Sequence, residues 1–160
     1  IFLKNKHTLK IDKFYFRCCI GKKGLTKKKT EGDNKTPIGT FSIGHLYFRK
    51  DKINILDTKL KCIKIKKNMG WCNDSRNIKY NKEVNRYKVK NSEKLFRKDY
   101  KYDALIVINY NSKPIIKNKG SAIFLHLTKN YKPTAGCIAL KKNDFFKLAK
   151  IINNKTKIKI

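Results

Sequence analysis

The sequence predicts a mainly β domain with a helix packed on it near the C-terminal end, and three observations carry that prediction. Short runs rich in aromatic and β-branched residues recur along the 160 residues, divided by clusters of Gly, Asn, Asp and Lys. Three of these runs, within 104–108, 121–127 and 137–140, are apolar enough to be buried strands. One segment has a clear helical period, with Phe145, Leu148, Ala149 and Ile152 on one face.

In chain order, residues 8–12 and 14–20 read as two short strands. Cys18 and Cys19 are neighbours in the second, so they should face opposite sides. Residues 21–35 are polar and lysine-rich, carry Gly24, Gly32, Asp33 and Asn34, and read as a loop. In 36–44 the proline at 37 argues for an edge or a strand start, and the glycines for tight turns or close backbone approach. Residues 53–65 should contain extended segments. Residues 69–85 hold Trp71-Cys72-Asn73-Asp74 with little periodicity and read as a long structured loop. Residues 92–97 read as a helical turn with Ser92 as its N-cap. The three buried strands and the amphipathic helix follow, and 156–160 reads as a last strand. Neither repeats nor a linker are visible.

The formal charge is +30, from 41 basic and 11 acidic residues. Only five of the basic residues are arginine, whose planar fork suits phosphate and guanine, and the lysines are scattered over the whole chain. This reads as a solvated lysine surface with general attraction to anions rather than as a specific nucleic-acid reader. The apolar runs are too short to span a bilayer, so no transmembrane segment is expected. No CxxC or paired Cys/His spacing occurs among Cys18, Cys19, Cys62, Cys72 and Cys137, which argues against a zinc site. Buried thiols, or one free nucleophile with up to two disulfides, both fit the count.

Two residues carry the chemistry. His126 stands in Phe124-Leu125-His126-Leu127, and Cys137 follows the turn Pro133-Thr134-Ala135-Gly136 and opens an apolar run. A neutral imidazole beside a thiol can take its proton, and the thiolate is the nucleophile. Gly136 lets a substrate approach the backbone closely. The N–H groups of Gly136 and Cys137 are candidates to hold the oxyanion of a tetrahedral intermediate. Thr134 can hydrogen-bond substrate or shape the turn. His7 and His45 read as surface or structural residues, and Arg49 and Trp71 as packing or loop-anchoring residues. Asp103 and Asn111 flank the strand expected beside His126 and are lesser candidates, and Ser75-Arg76-Asn77 could line a groove.

Four blocks give these residues a family context. They are Glu31-Gly32-Asp33-Asn34-Lys35-Thr36-Pro37-Ile38-Gly39-Thr40-Phe41; Trp71-Cys72-Asn73-Asp74 with Tyr80-Asn81; Tyr102-Asp103 through Asn109-Tyr110-Asn111; and Gly120 through His126-Leu127 to Pro133-Thr134-Ala135-Gly136-Cys137-Ile138-Ala139-Leu140. In order and spacing the chain resembles a YkuD-type L,D-transpeptidase catalytic domain, in the compact branch of that family. The resemblance implies one catalytic domain over 1–160, a β-sandwich or barrel with a C-terminal amphipathic helix and few other helical turns. It implies a cysteine acyltransferase of cell-wall biogenesis that takes peptidoglycan stem peptides. Cys137 would form a thioester with the donor, His126 would be the base, and an amine would resolve the acyl-enzyme. Water as acceptor would make a carboxypeptidase instead, and a non-catalytic basic anion-binding module on this fold is a third reading. Neither a metal nor an organic cofactor is expected, and a monomer is. The cell envelope or periplasm is implied, although no leader is visible in a chain beginning at Ile1. Ala135 occupies the place of a second histidine in the commoner pattern, so Thr134 and Ala135 are the candidates for contacts to substrate.

Overall fold

Alternation decides which side of each early strand faces inward. In the computed structural model, which describes residues 1–54 and 57–160, β1 (Phe2–Asn5), β2 (Thr8–Ile11) and β3 (Phe14–Cys19) form an antiparallel meander. Leu3, Leu9 and Phe16 are buried, whereas Phe2 and Tyr15 are exposed. β4 (Leu25–Thr26) and β5 (Thr36–Pro37) are a short parallel pair at the two ends of the lysine-rich loop. The nine-residue β6 (Thr40–Phe48) and β7 (Cys62–Lys64) follow. β8 (Met69–Cys72), β9 (Glu83–Asn85) and β10 (Ser92–Lys94) make a separate antiparallel sheet ordered β10-β8-β9. A 3-10 turn over Tyr100–Tyr102 leads into β11 (Ala104–Ile108). β12 (Phe124–Thr128), β13 (Ile138–Lys141), helix α1 (Lys142–Ile151) and β14 (Lys157–Lys159) complete the chain.

Several local expectations need correction. Residues 69–85 are not simply a loop: they contain β8 and β9, strands too short to show a period. Residues 92–94 form β10 instead of a helical turn. Ser92 pairs with Cys72 and Glu93 with Trp71, and the Ser92 hydroxyl donates to the Val89 carbonyl at 2.8 Å. Cross-strand pairing thus overrides the capping signal. Pro37 keeps to an edge as expected, in β5 of the two-stranded sheet and just ahead of β6, while β6 itself is paired with β14 and β11. β1 has no counterpart in the sequence reading. Within 53–65, β7 is extended, while Ile55 and Leu56 lie outside the described residues.

The main sheet runs β11-β12-β13-β3-β2-β1-β14-β6-β7, and β6 also pairs with β11. It therefore returns on itself as a barrel-like sheet. Leu46, Ile106, Leu125 and Ile138 fill its inner side with Phe145, Leu148 and Ala149 of α1. That helix is amphipathic as the sequence predicts, with Asp144 in its first turn and Lys150 in its last, each complementing the helix dipole.

β11 and β12 are buried along their whole length because both faces are covered. Leu105, Val107 and Phe124 point away from the barrel interior into a second cluster with Met69 and Leu95. The small sheet thus caps this outer face. The three glutamates of the chain (Glu31, Glu83 and Glu93) each accept a bond from a tyrosine: Tyr47 to Glu83 at 2.7 Å, Tyr80 to Glu31 at 2.5 Å, and Tyr102 to Glu93. The Tyr47 and Tyr102 bonds fasten the barrel to strands β9 and β10 of the cap.

Candidate active site

β12 and β13 are parallel neighbours, with Leu125 opposite Ile138 and His126 opposite Ala139. Leu125 and Ile138 face the barrel interior. By alternation His126 and Cys137, one position to either side, face the cap. They sit on the same face of adjacent chain segments, two residues apart in register. That diagonal is roughly 8 Å between Cα atoms, and among the described residues neither imidazole nitrogen is hydrogen-bonded to the Cys137 sulfur. Both residues are buried, and both line one cleft of about 580 Å³ between barrel and cap.

The turn before Cys137 is built around Gly136. Its φ is 144°, and a Cβ there would stand 2.8 Å from the Lys35 carbonyl oxygen, so glycine is required on both counts. The Thr36 hydroxyl donates to the Gly136 carbonyl at 2.8 Å, tying the turn to β5. The Thr134 hydroxyl accepts from the Gly136 N–H at 3.1 Å and donates to the Cys137 carbonyl at 2.6 Å. This corrects two expectations. The Gly136 N–H is engaged, so it is not a free oxyanion donor in this state. Thr134 has spent its one hydroxyl proton on the backbone, so it shapes the turn rather than donating to a substrate. Among the described residues the Cys137 N–H has no acceptor. Ala135 is exposed at the rim of the cleft.

The Cys137 sulfur accepts the Phe124 N–H at 3.4 Å and donates its own proton to the Ala122 carbonyl at 3.2 Å. Ala122 has a φ of 53°, a conformation a non-glycine residue rarely takes. Asn81 holds it there: its Oδ1 accepts the Ala122 N–H at 3.0 Å and the Trp71 Nε1–H at 2.9 Å. Trp71, an anchoring residue as expected, also packs edge-on against Phe124, with ring centres 5.2 Å apart.

His126 Nδ1 lies 2.9 Å from the Leu127 carbonyl. A carbonyl only accepts, so Nδ1 carries the proton and Nε2 is left as the basic nitrogen. Burial, with smaller contributions from Lys101 and Arg97, pulls the imidazole down to about 4 against the Leu127 bond. Burial, reinforced by the Glu93 carboxylate, pushes the Cys137 thiol up to about 12. At neutral pH the resting pair is therefore an uncharged thiol and an uncharged imidazole, not a thiolate–imidazolium ion pair.

The sequence reading missed the polar groups around this pair. Tyr102, 5% exposed, packs its ring against His126 at 5.3 Å and donates its hydroxyl to Glu93. Glu31 accepts bonds from Tyr80 and from Ser121, the latter at 2.7 Å. Lys29 is buried, pairs with Asp33, and favours the Cys137 thiolate. Tyr102 and Glu31 stand within the motif blocks quoted above, but no pattern marks them as partners of a site. Asp103 and Asn111 do not line the cleft, nor do Ser75, Arg76 and Asn77. The Asp103 carbonyl accepts the Arg49 N–H, and Asn111 closes the 111–120 loop. Arg49 is buried against Phe96 and bonds the Arg97 carbonyl at 2.6 Å, an anchoring role. His7 and His45 are exposed. All five cysteines are free thiols. Among the described residues no cluster of three or more His, Cys, Asp or Glu is placed to hold a metal ion, and no helix is long and apolar enough to cross a membrane.

A comparison with protein families matches residues 3–160 to the YkuD model, described as an L,D-transpeptidase catalytic domain. No curated protein and no solved structure matches the chain significantly.

Proposed function

The chain belongs to the YkuD family of L,D-transpeptidase catalytic domains, and on that premise we propose that residues 1–160 form one catalytic domain that transfers peptidoglycan stem peptides through a Cys137 thioester. The observation that carries this reading is the pair on β12 and β13: His126 and Cys137 turn the same face into one cleft, and the Leu127 carbonyl leaves Nε2 unprotonated.

The chemistry follows from that arrangement. As Sγ adds to the donor carbonyl carbon, its proton passes to His126 Nε2. The new oxyanion takes the Cys137 N–H. Collapse breaks the bond to the terminal D-alanine, whose nitrogen takes the proton from His126, and the thioester remains. An amine from a neighbouring stem then attacks, loses its proton to His126, and releases Sγ to be reprotonated. Water in place of the amine gives the hydrolytic reaction. The cleft rim contributes Lys101 and Lys132, which suit the carboxylates of a stem peptide. The domain acts as a monomer at the cell envelope, and its lysine surface supports general attraction to anionic wall polymer rather than nucleic-acid reading.

Incubation with stem tetrapeptide tests the proposal. D-alanine release with a cross-linked or amine-exchanged product supports transfer, and release with only the free tripeptide acid supports hydrolysis. Cys137→Ala is expected to abolish release while keeping the thermal unfolding of the parent. Undiminished release by that variant would remove Cys137 from the mechanism.

A further inference from the structure

Tyr102 and Glu93 stand at the junction of three parts of the molecule. Tyr102 ends the 3-10 turn before β11 and belongs to the barrel side; Glu93 lies on β10 of the cap. The Tyr102 ring meets two residues of β12 at once. Its edge contacts with His126, at 5.3 Å and 71°, and with Phe124, at 5.9 Å and 84°, flank the base and the residue whose N–H holds the Cys137 sulfur. The Arg97 guanidinium sits 5.0 Å from the centre of the Tyr102 ring and is itself held by Asp99. The phenol oxygen is bonded to Glu93, whose strand pairs with Trp71 directly opposite, and Trp71 presses on Phe124. The other two tyrosine–glutamate bonds differ in place: Tyr47, Glu83 and Tyr80 do not line the cleft.

Resting on the reading of Cys137 and His126 given above, we propose that Tyr102, held by Glu93, is a positioning residue for both reacting groups and ties strand β10 of the cap to the orientation of the base. The ring packs edge-on against the imidazole, and the Glu93 bond fixes the ring. The Leu127 bond alone leaves the imidazole free to swing about that single contact. A second, rigid surface removes the freedom, and a misplacement of about 1 Å at such a group costs roughly 100-fold in rate. The Glu93 carboxylate disfavours the Cys137 thiolate, whereas the Tyr102 hydroxyl gives its one proton to Glu93 and so donates nothing to the sulfur in this state. Burial raises the Glu93 carboxyl. The groups facing it are Tyr102 from the barrel, Arg97 beyond β10, Glu31 from the lysine-rich loop, and Cys137 itself.

A loss of kcat at nearly constant KM is a signature that a merely structural contact lacks. Tyr102→Phe keeps the ring and its contacts but frees it from Glu93. Glu93→Gln keeps a hydrogen-bond acceptor and removes the charge. With stem tetrapeptide, Tyr102→Phe should lower kcat by roughly 10- to 100-fold with KM within about threefold, and Glu93→Gln, which keeps an acceptor for the Tyr102 hydroxyl, should lower kcat less. The rate of Cys137 alkylation by iodoacetamide, read at the Cys137 peptide by mass spectrometry at pH 8, should rise severalfold in Glu93→Gln, which removes the charge beside the sulfur, and change less in Tyr102→Phe, which leaves that charge in place. Unchanged kcat in a Tyr102→Phe protein that merely melts at a lower temperature would overturn the proposal. So would a Tyr102→Phe loss that falls on KM instead of kcat. Alkylation of Cys137 needs no substrate, and wild-type turnover is measured alongside. A wild type that does not turn over therefore counts against the transpeptidase reading, whereas silent variants of an active wild type count against the positioning role alone.

Discussion

Burial drives His126 and Cys137 in opposite directions, and this sets the first expectations. With His126 held near 4, the imidazole stays a free base through the whole neutral range. The acid limb of kcat/KM should therefore fall near pH 4 to 5, well below the 6.5 of an ordinary histidine. A limb near 6.5 would mean that the imidazole is hydrated in solution. The thiol's high value means that Cys137 should alkylate slowly at neutral pH without substrate, and more slowly than exposed Cys62. At this scale the sequence pointed to two residues that the fold brings to one cleft. An imidazole and a thiol at the edges of two apolar runs, with a turn and a glycine before the thiol, describe their own surroundings. It was silent about Tyr102, Glu93 and Lys29, because each owes its place to a residue far along the chain. Glu93 reaches the cleft only because β10 pairs with β8. Gly136 was misjudged, and Thr134 left between two roles, for a related reason: their polar groups bond to each other across two residues, and no spacing rule separates that from a contact to substrate.

The elements explain why some strands were legible and others were not. β11 and β12 are continuous apolar runs because the barrel interior and the cap cover them from two sides, so they stand out in the sequence. β8, β9 and β10 are three or four residues long and are held by pairing with one another, so they carry no period of their own. The turn before Cys137 makes a sharp prediction. Gly136→Ala forces a side chain into a φ of 144° and against the Lys35 carbonyl. It should cost about 1–3 kcal/mol of stability and slow Cys137 acylation, seen by denaturant titration and by mass spectrometry. Parent-like stability would show that the turn relaxes freely. At the cap, Tyr47→Phe removes the 2.7 Å bond to Glu83, away from the cleft. It should cost about 1 kcal/mol with turnover retained, whereas a large loss of kcat would make the whole cap, not only the Tyr102 contact, part of catalysis.

Across the whole molecule the same two groups govern stability against pH. The folded chain holds His126 near 4, and the unfolded chain protonates it near 6.5, so the unfolded state gains protons first as pH falls. Stability is full above about 6.5 and declines by about 3 kcal/mol toward pH 4. Cys137 works in the other direction: raised to about 12, it contributes stability that is present below about 9 and lost as pH rises toward 12. His126→Gln should flatten the acid limb of urea midpoint against pH, and an unchanged limb would assign it to the carboxylates instead. The barrel-like sheet, its helix and the family were all recoverable from the sequence, since they rest on patterns that span the chain. The charge of +30 was recoverable as a number but not as a location, and the few acidic side chains proved more telling: two of the three glutamates line the cleft. The central claim is that Cys137 carries the acyl group with His126 as its base. Its most direct test is peptide mass spectrometry of the protein after incubation with a carbapenem, which the family typically accepts as an acylating mimic. One adduct on Cys137, lost in Cys137→Ala and formed much more slowly in His126→Ala, is the result expected. No adduct, or an adduct only on Cys62, would contradict it.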